Sequence, residues 1–348
     1  MKSLRNLLLW LLLPFAASSQ QHKFPFEIRL EEFPVQHFNG LHSYAWAREG
    51  NHILLVGGRT DGLHRRQPFA AFRPDDNNIQ LLVLDVEKGT VYSRPLAGLP
   101  VGIAEQLQST NMQFLQDGND LVLTGGYGYS PSKGDHITHP YLLNIRVRET
   151  IEAILNGIDP APFIVQVRDE NMAVTGGRMA KLNDRYYLVG GHRFDGRYNP
   201  HGPDHGPGFV QQYTNQVRTF GLNRKGLLPV IENYRANTDS LLLHRRDYNL
   251  VPGFDDKGKE KLTIFSGVFQ YEADIPYSNL TDITVDGISE LKNFSQQFNH
   301  YHTASLSIFQ EKTGRSFSVF FGGLSLNTVL KDGTTQKDEQ VPFVNHVS

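Results

Sequence analysis

The sequence predicts an all-β fold, a β-propeller of four-stranded blades, and three observations support this prediction. A short apolar strand that ends in glycine occurs five times along the chain. The final glycines of the copies lie 68, 65, 76 and 56 residues apart, which leaves room in each repeat for four strands and their loops. Patterns that favour helices are scarce, and residues 148–156 are one short candidate, ended by Gly157 and Pro160.

Each copy is an apolar strand followed by a glycine pair, except the fourth, in which a single glycine precedes Val268. The five copies occupy residues 52–58, 120–126, 186–191, 262–267 and 317–323. A short strand is predicted before each copy, at residues 41–47, 109–115, 178–182, 247–251 and 303–309. A polar loop follows the glycines, then a third strand, as at residues 79–86, 210–222 and 280–285. A fourth strand closes the unit, as at residues 90–96, after the tight turn that Gly89 allows.

This order of strand, glycine pair, loop, strand, turn and strand resembles a blade of the kelch-repeat propellers, the superfamily that includes galactose oxidase. The glycine pair has a physical reason, because it ends the second strand where the backbone must turn tightly and approach its neighbour closely. The chain departs from the family pattern in two ways. The tryptophan common near the kelch fourth strand is missing, with Tyr92 in that region, and the loops after the glycines are long. The resemblance implies a divergent, exported bacterial member of the family; a pair of β-sandwiches is the alternative all-β arrangement.

The two ends of the repeat region bear on the number of blades. Residues 26–34 are predicted to be a fourth strand, and residues 342–348 a third strand with no fourth after it. Together they would complete one blade of a closed five-bladed ring, which removes the free sheet edges. Kelch rings usually have six or seven blades, so a fragment of a longer propeller is the alternative.

The N-terminus and the composition point to an exported protein. Lys2 and Arg5 precede an apolar run at residues 7–15 and small residues at 16–19, the order of a secretory signal peptide. We therefore expect a signal peptide at residues 1–19 and a propeller at residues 20–348, secreted, periplasmic or on the cell surface. The net charge of −2 gives no basic face for nucleic acid, and no second apolar span predicts membrane insertion.

The channel mouth is the predicted binding face. Strands of a blade alternate in direction, so the long loops after the second strands lie at the same end as the starts of the innermost strands. Ligand sites in closed barrel-like folds favour such mouths. The arginines there suit capture of a carboxylate, although pairing with nearby acids is the alternative. The predicted ligand-binding residues are Arg178, Arg245, Arg246, His302, His42, Asn111 and Tyr271.

A histidine-rich loop follows the third glycine pair. His192, His201, His205 and Asp204 have the side-chain types that bind zinc or another divalent metal. Their spacing matches no known metal motif, and a polar loop with solvated histidines is the competing interpretation. We expect no cofactor, with a divalent metal at these four residues as the alternative.

Three functions remain open at this stage. The leading one is a recognition module that binds a protein or a glycan through the mouth. The second, implied by the resemblance, is a sugar-acid mutarotase or epimerase like the kelch-type sialic acid mutarotases, in which the arginines would hold the carboxylate. The third is a metal-dependent hydrolase or lyase that uses the histidine-rich loop. The copper site of galactose oxidase needs a cysteine, and the chain has none.

Overall fold

The computed structural model describes residues 24–63, 65, 67, 69–225 and 228–348. The predicted signal peptide lies outside the described residues. The chain divides into two compact units, Met1–Pro34 and Val35–Ser348. In the first unit, the described residues 24–34 form no strand, so the prediction of a strand at residues 26–34 is wrong. No neighbouring strand pairs with this segment, and its alternating apolar residues are only partly covered: Phe26 and Ile28 are half-buried, and Leu30 is 70% exposed.

The second unit consists of five antiparallel sheets that follow one another along the chain. Blade 1 comprises Ala45–Glu49, His52–Val56, Gln80–Asp85 and Thr90–Pro95. Blade 2 comprises Gln113–Asp117, Asp120–Thr124, Tyr141–Arg146 and Ile164–Arg168. Blade 3 comprises Arg178–Leu182, Arg185–Val189, Gln216–Asn223 and Val230–Thr238. Blade 4 comprises Asn249–Phe254, Glu260–Phe265, Thr281–Thr284 and Gly287–Glu290. Blade 5 has three strands, Ala304–Gln310, Arg315–Leu324 and Phe343–Val347.

Short elements are inserted between these strands. Three two-stranded hairpins follow the second strands of blades 2, 3 and 5: Tyr127–Ser130 with Asp135–Thr138, His192–Gly196 with Phe209–Tyr213, and Asn327–Val329 with Thr335–Lys337. The α-helices are Val101–Leu107 and Val147–Leu155, and the second confirms the predicted helix. Four single turns of 3₁₀ helix lie at Pro74–Asp76, Ala161–Phe163, Glu170–Met172 and Pro203–His205. No helix among the described residues is both long and apolar enough to cross a bilayer.

The glycine pairs follow the second strands of blades 1, 2 and 3 as predicted, whereas the second strand of blade 5, Arg315–Leu324, continues through its glycine pair. Gly125 and Gly126 have φ angles of +64° and +90°, in the left-handed region that favours glycine. A Cβ atom on Gly125 would lie 1.8 Å from the Val174 carbonyl oxygen of the next blade's leading segment. In the fourth copy Ser266 takes the first position with φ +57°, and its hydroxyl donates a hydrogen bond to the Asn299 carbonyl. The repeated glycines therefore allow adjacent blades to approach closely.

The described residues form buried apolar clusters at three of the seams between blades. Leu54, Leu123 and Ile145 belong to the cluster that joins blades 1 and 2. The corresponding clusters include Val122, Met179 and Phe220 between blades 2 and 3, and Val189, Tyr248 and Ile264 between blades 3 and 4. The five sheets form a five-bladed β-propeller, and these apolar clusters lie between neighbouring blades.

Candidate functional site

One end of the channel is built from five equivalent backbone units. In each blade, the residue after the glycine position forms an antiparallel bridge with a residue just before the innermost strand. These bridges are His42 with Arg59, Thr110 with Tyr127, Thr175 with His192, Arg246 with Val268, and Tyr301 with Leu324. The bridges fix the long loops beside the starts of the innermost strands, as the sequence predicted.

The residue after each of the five bridging residues at the innermost strands has a left-handed backbone. These residues, here called the collar, are Ser43, Asn111, Gly176, Asp247 and His302, with φ between +52° and +65°. Backbone hydrogen bonds connect collar residues of different blades. Asn111 donates to Ser43 over 3.1 Å, Asp247 donates to Gly176 over 2.7 Å, and His302 donates to Asp247 over 3.0 Å. The collar therefore joins blade 1 to blade 2, and blades 3, 4 and 5 to one another, through backbone hydrogen bonds.

A cavity of about 680 Å³, here called the mouth cavity, is lined by residues from all five blades. Four collar residues, Ser43, Asn111, Asp247 and His302, are among its lining residues. This volume lies in the range of small-molecule sites, which are concave and lined by apolar groups with a few placed polar groups.

The loops of blades 1 to 3 build a wall on one side of the mouth cavity. The Tyr127 hydroxyl donates to the Gly196 carbonyl over 2.7 Å and accepts from the Tyr198 amide over 2.9 Å. The Phe72 ring lies 5.1 Å from the Tyr127 ring and 5.6 Å from the Tyr198 ring. Phe194 packs edge-on against Tyr127, at 5.2 Å between ring centres. The interlocked rings form a rigid aromatic wall.

Arg246 is the arginine that blade 4 contributes to the mouth cavity. Its Nε lies 3.3 Å from Asp247 Oδ2, and its guanidinium lies 5.0 Å from the centre of the Phe269 ring. All three side chains line the mouth cavity. A guanidinium fixed by a carboxylate and an aromatic face offers preoriented hydrogen-bond donors beside an acceptor.

Among the described residues, two cationic side chains, Arg59 and Arg246, and three carboxylates, Asp247, Asp274 and Glu339, line the mouth cavity. Arg59 is 2% exposed, and its Nε and Nη2 donate to Asp61 over 2.8 and 2.9 Å. The guanidiniums are thus already compensated, which favours a neutral polar ligand over an acid.

A serine and two histidines meet in the mouth cavity where blade 5 returns to blade 1. The Nε2 atoms of His302 and His42 lie 2.8 Å apart. The Ser43 hydroxyl lies 3.0 Å from His42 Nδ1 and 3.3 Å from His302 Nε2. Burial lowers the pKa of His302, and Arg178 acts in the same direction, whereas Asp247 opposes it. His302 is therefore a neutral imidazole at pH 7, able to accept a proton.

The structure separates the predicted ligand-binding residues into two groups. His42, Asn111, Arg246 and His302 line the mouth cavity. Arg178, Arg245 and Tyr271 are not among the lining residues. Arg245 is fully buried, and it donates to the carbonyl oxygens of Ser266 and Asn279 over 3.1 and 3.2 Å. Its guanidinium also lies 4.1 Å from the Tyr277 ring centre, so Arg245 supports blade 4 from within.

The predicted metal ligands are dispersed. His192 is buried, and its Nδ1 lies 2.8 Å from Gln211 Nε2. His192 and His201 both line the mouth cavity, whereas Asp204 and His205 are exposed in a 3₁₀ turn. Among the described residues, no three histidine, aspartate or glutamate side chains are grouped so as to hold a metal ion. The structure does not bring these four residues together as a metal centre.

Sequence reasoning named Asn111 and His302 individually but did not predict the collar as a set of equivalent positions. Ser43, Asn111 and Gly176 each lie 15 residues before the second glycine of their blade. All three belong to the residue types that adopt or tolerate left-handed backbone or tight turns. That shared spacing is the signal that could have revealed the collar.

The fold and the mouth cavity together define a five-bladed β-propeller with a polar collar and an aromatic wall at one end of its channel. No protein-family model matches the chain, and no curated protein is significantly similar to it.

Proposed function

We propose that this protein is an exported, kelch-like propeller that acts as a recognition module and binds a neutral carbohydrate in its mouth cavity. The observation that carries the proposal is the Arg246–Asp247 pair held against Phe269 within the cavity. Sugars present adjacent hydroxyl groups, which need donors and acceptors side by side, and apolar C–H faces, which pack against aromatic rings. The pair and the ring supply both within one small region.

The charges of the described lining residues support a sugar without a carboxylate. Among these residues, carboxylates outnumber guanidiniums by three to two, and both guanidiniums are already bonded to or beside acids. An acidic sugar would have to compete with Asp247 for Arg246. A neutral polyol would use Arg246 and Asp247 together, which avoids breaking the pair.

Glycan-array screening of the protein, followed by calorimetry on the glycans that bind, tests the proposal. Arg246→Gln should weaken binding roughly 10- to 150-fold, because a hydrogen bond to a charged group is worth about 1.5–3 kcal/mol. Arg168→Gln is the matched control, since Arg168 is an exposed arginine on the outermost strand of blade 2. Absence of glycan binding, or equal affinities of wild type and Arg246→Gln, would contradict the proposal.

Anomer interconversion is a second candidate function, and the Ser43–His42–His302 contacts favour it. Mutarotation requires a base that removes the proton of the anomeric hydroxyl and an acid that protonates the ring oxygen as the ring C–O bond breaks. Two imidazoles in hydrogen-bond contact can exchange the proton between these two roles, so no net proton is consumed. Ring closure with the roles reversed gives the other anomer.

Polarimetry on freshly dissolved α-D-glucose and α-D-galactose tests this second function. Wild type should accelerate the approach to anomeric equilibrium, and His302→Ala should abolish most of the acceleration. Arg168→Gln should behave like wild type. If wild type leaves the rate at the buffer value with every sugar that binds, the protein is a recognition module without this activity.

A further inference from the structure

Four aromatic rings form a ladder from the mouth cavity to the surface. His192 lines the mouth cavity, and its ring centre lies 5.7 Å from that of Tyr213. Tyr213 stacks on His244 at 3.9 Å, and His244 stacks on Tyr271 at 3.8 Å with an interplanar angle of 19°. The ladder joins a lining residue of the mouth cavity to an exposed ring of the blade 4 loop.

The outermost ring of the ladder is held in place although it is exposed. Tyr271 is 58% exposed, yet its hydroxyl donates to the Ser240 carbonyl over 2.8 Å and one of its faces is covered by His244. Burial and the nearby Arg246 lower the pKa of His244, so the middle of the ladder is uncharged at pH 7. An exposed aromatic ring that is already fixed loses little conformational freedom when a ligand stacks on it.

Tyr271 lies close to a residue that lines the mouth cavity. Tyr271 and the lining residue Asp274 are three residues apart in the same loop of blade 4. The ladder and this loop therefore both connect the exposed ring of Tyr271 to the lining of the mouth cavity.

We propose that Tyr271 is a second carbohydrate subsite, on which the next sugar of an oligosaccharide stacks when its terminal sugar occupies the mouth cavity. This inference rests on the proposed carbohydrate function and specifies its ligand as a chain rather than a monosaccharide. The pyranose ring would place its C–H face against the free face of Tyr271, and its hydroxyl groups would remain in water.

Calorimetry with cello-, manno-, xylo- and chito-oligosaccharides of one to six residues tests this subsite. For the series that binds, wild type should gain affinity between one residue and two or three. Tyr271→Ala should bind the monosaccharide like wild type and the longer members roughly 3- to 10-fold more weakly. Tyr271→Phe should retain most of the gain, because it keeps the ring.

Phe69→Ala is the matched control, since it removes an exposed ring from the loop of blade 1, on the walled side of the mouth cavity. Its affinities should follow those of wild type at every chain length. Equal affinity of wild type and Tyr271→Ala for all lengths would overturn the subsite while leaving the carbohydrate function standing. Failure of every oligosaccharide and monosaccharide to bind would overturn both.

Discussion

The contact between blades 1 and 2 differs in chemistry from the contact between blades 5 and 1. Between blades 1 and 2, buried side chains such as Leu54, Leu123 and Ile145 form one apolar cluster. Where blade 5 meets blade 1 at the channel, the hydrogen bonds of the described residues include those of His302 with His42 and Ser43. Leu306, on the innermost strand of blade 5, is 43% exposed. Apolar burial therefore stabilises the first seams, whereas directional hydrogen bonds join the last blade to the first.

The apolar seam and the polar contact between blades 5 and 1 are expected to contribute differently to stability. A close-packed seam tolerates little change in volume, because neighbouring atoms have no room to relax. A seam closed by histidines and a serine keeps polar groups available to the mouth cavity. Stability is therefore expected to depend mainly on the first seams.

The largest effect is expected at the glycine between blades 2 and 3. Gly118 and Gly125 have nearly the same φ, +63° and +64°, but a Cβ atom meets nothing within 4 Å at Gly118 and lies 1.8 Å from Val174 at Gly125. Gly118→Ala should cost about 1–2 kcal/mol for the left-handed backbone alone. Gly125→Ala should cost about 1–3 kcal/mol more, because the blades must separate. Urea denaturation of both variants measures the difference, and equal losses would mean that the seam is not tight.

Acid should destabilise both regions through buried histidines. Burial lowers the pKa of His139 and of His300 to about 4, and both side chains are fully buried or nearly so. In the unfolded chain each would titrate near 6.5, so the unfolded state takes up the proton first as the pH falls. The stability is retained above pH 6.5 and is lost between pH 6.5 and 4, by up to about 3 kcal/mol per histidine.

Denaturation at a series of pH values checks this expectation. His139→Gln should reduce the fall in the free energy of unfolding over this pH range by up to about 3 kcal/mol. His205→Gln is the control, because His205 is exposed and should leave the slope unchanged. A flat profile between pH 6.5 and 4 in wild type would show that these imidazoles are accessible to water.

The hydrogen bonds of His302 with His42 and Ser43 should contribute less to stability than the apolar seams. His302→Ala removes hydrogen bonds to His42 and Ser43, and net contributions of such bonds are about 0.5–1.5 kcal/mol each. We expect a loss of about 1 kcal/mol in the free energy of unfolding, measured by urea denaturation at pH 7.5. A loss above about 3 kcal/mol would place this contact on a par with the apolar seams.

The smallest effect is expected at Leu306. Leu306→Ala should change the free energy of unfolding by less than about 1 kcal/mol, because the side chain is already largely in water. Leu123→Ala provides the comparison at a packed seam, where a fully buried leucine should cost about 2–5 kcal/mol. Similar losses in the two variants, measured in the same urea titrations, would remove the distinction between the seams.

Much of the fold could be predicted from the sequence because the repeat combines two strong signals. Apolar alternation predicts a strand, and a glycine pair predicts where it ends. The third strand of blade 5, Phe343–Val347, was predicted on the same pattern and is confirmed. The segment 26–34 has the alternation but no pairing strand, and a strand exists only through its hydrogen bonds to a neighbour. The predicted strand 210–222 is in fact two strands, Phe209–Tyr213 and Gln216–Asn223, separated at Asn215, whose φ is +52°.

The candidate site could be located from the sequence, but its side chains could not be assigned with the same success. Topology alone put the long loops at the channel mouth. It could not distinguish Arg245 from Arg246, because neighbouring residues of an extended segment point in opposite directions. One of them is buried within blade 4, and the other lines the mouth cavity. The histidine-rich loop has ligand-type residues, but its glycines and prolines leave their directions undetermined by spacing.

The collar separates the backbone that joins the blades from the side chains that line the mouth cavity. Each blade supplies one position whose backbone is fixed by bonds to other blades, while its side chain faces the shared cavity in most of them. The four collar positions that carry a side chain can therefore be varied on the same backbone by residues that tolerate left-handed φ, such as asparagine and aspartate. Gly176 leaves one place without a side chain. Libraries that vary Ser43, Asn111, Asp247 and His302 together should yield propellers of the same architecture with new ligand preferences.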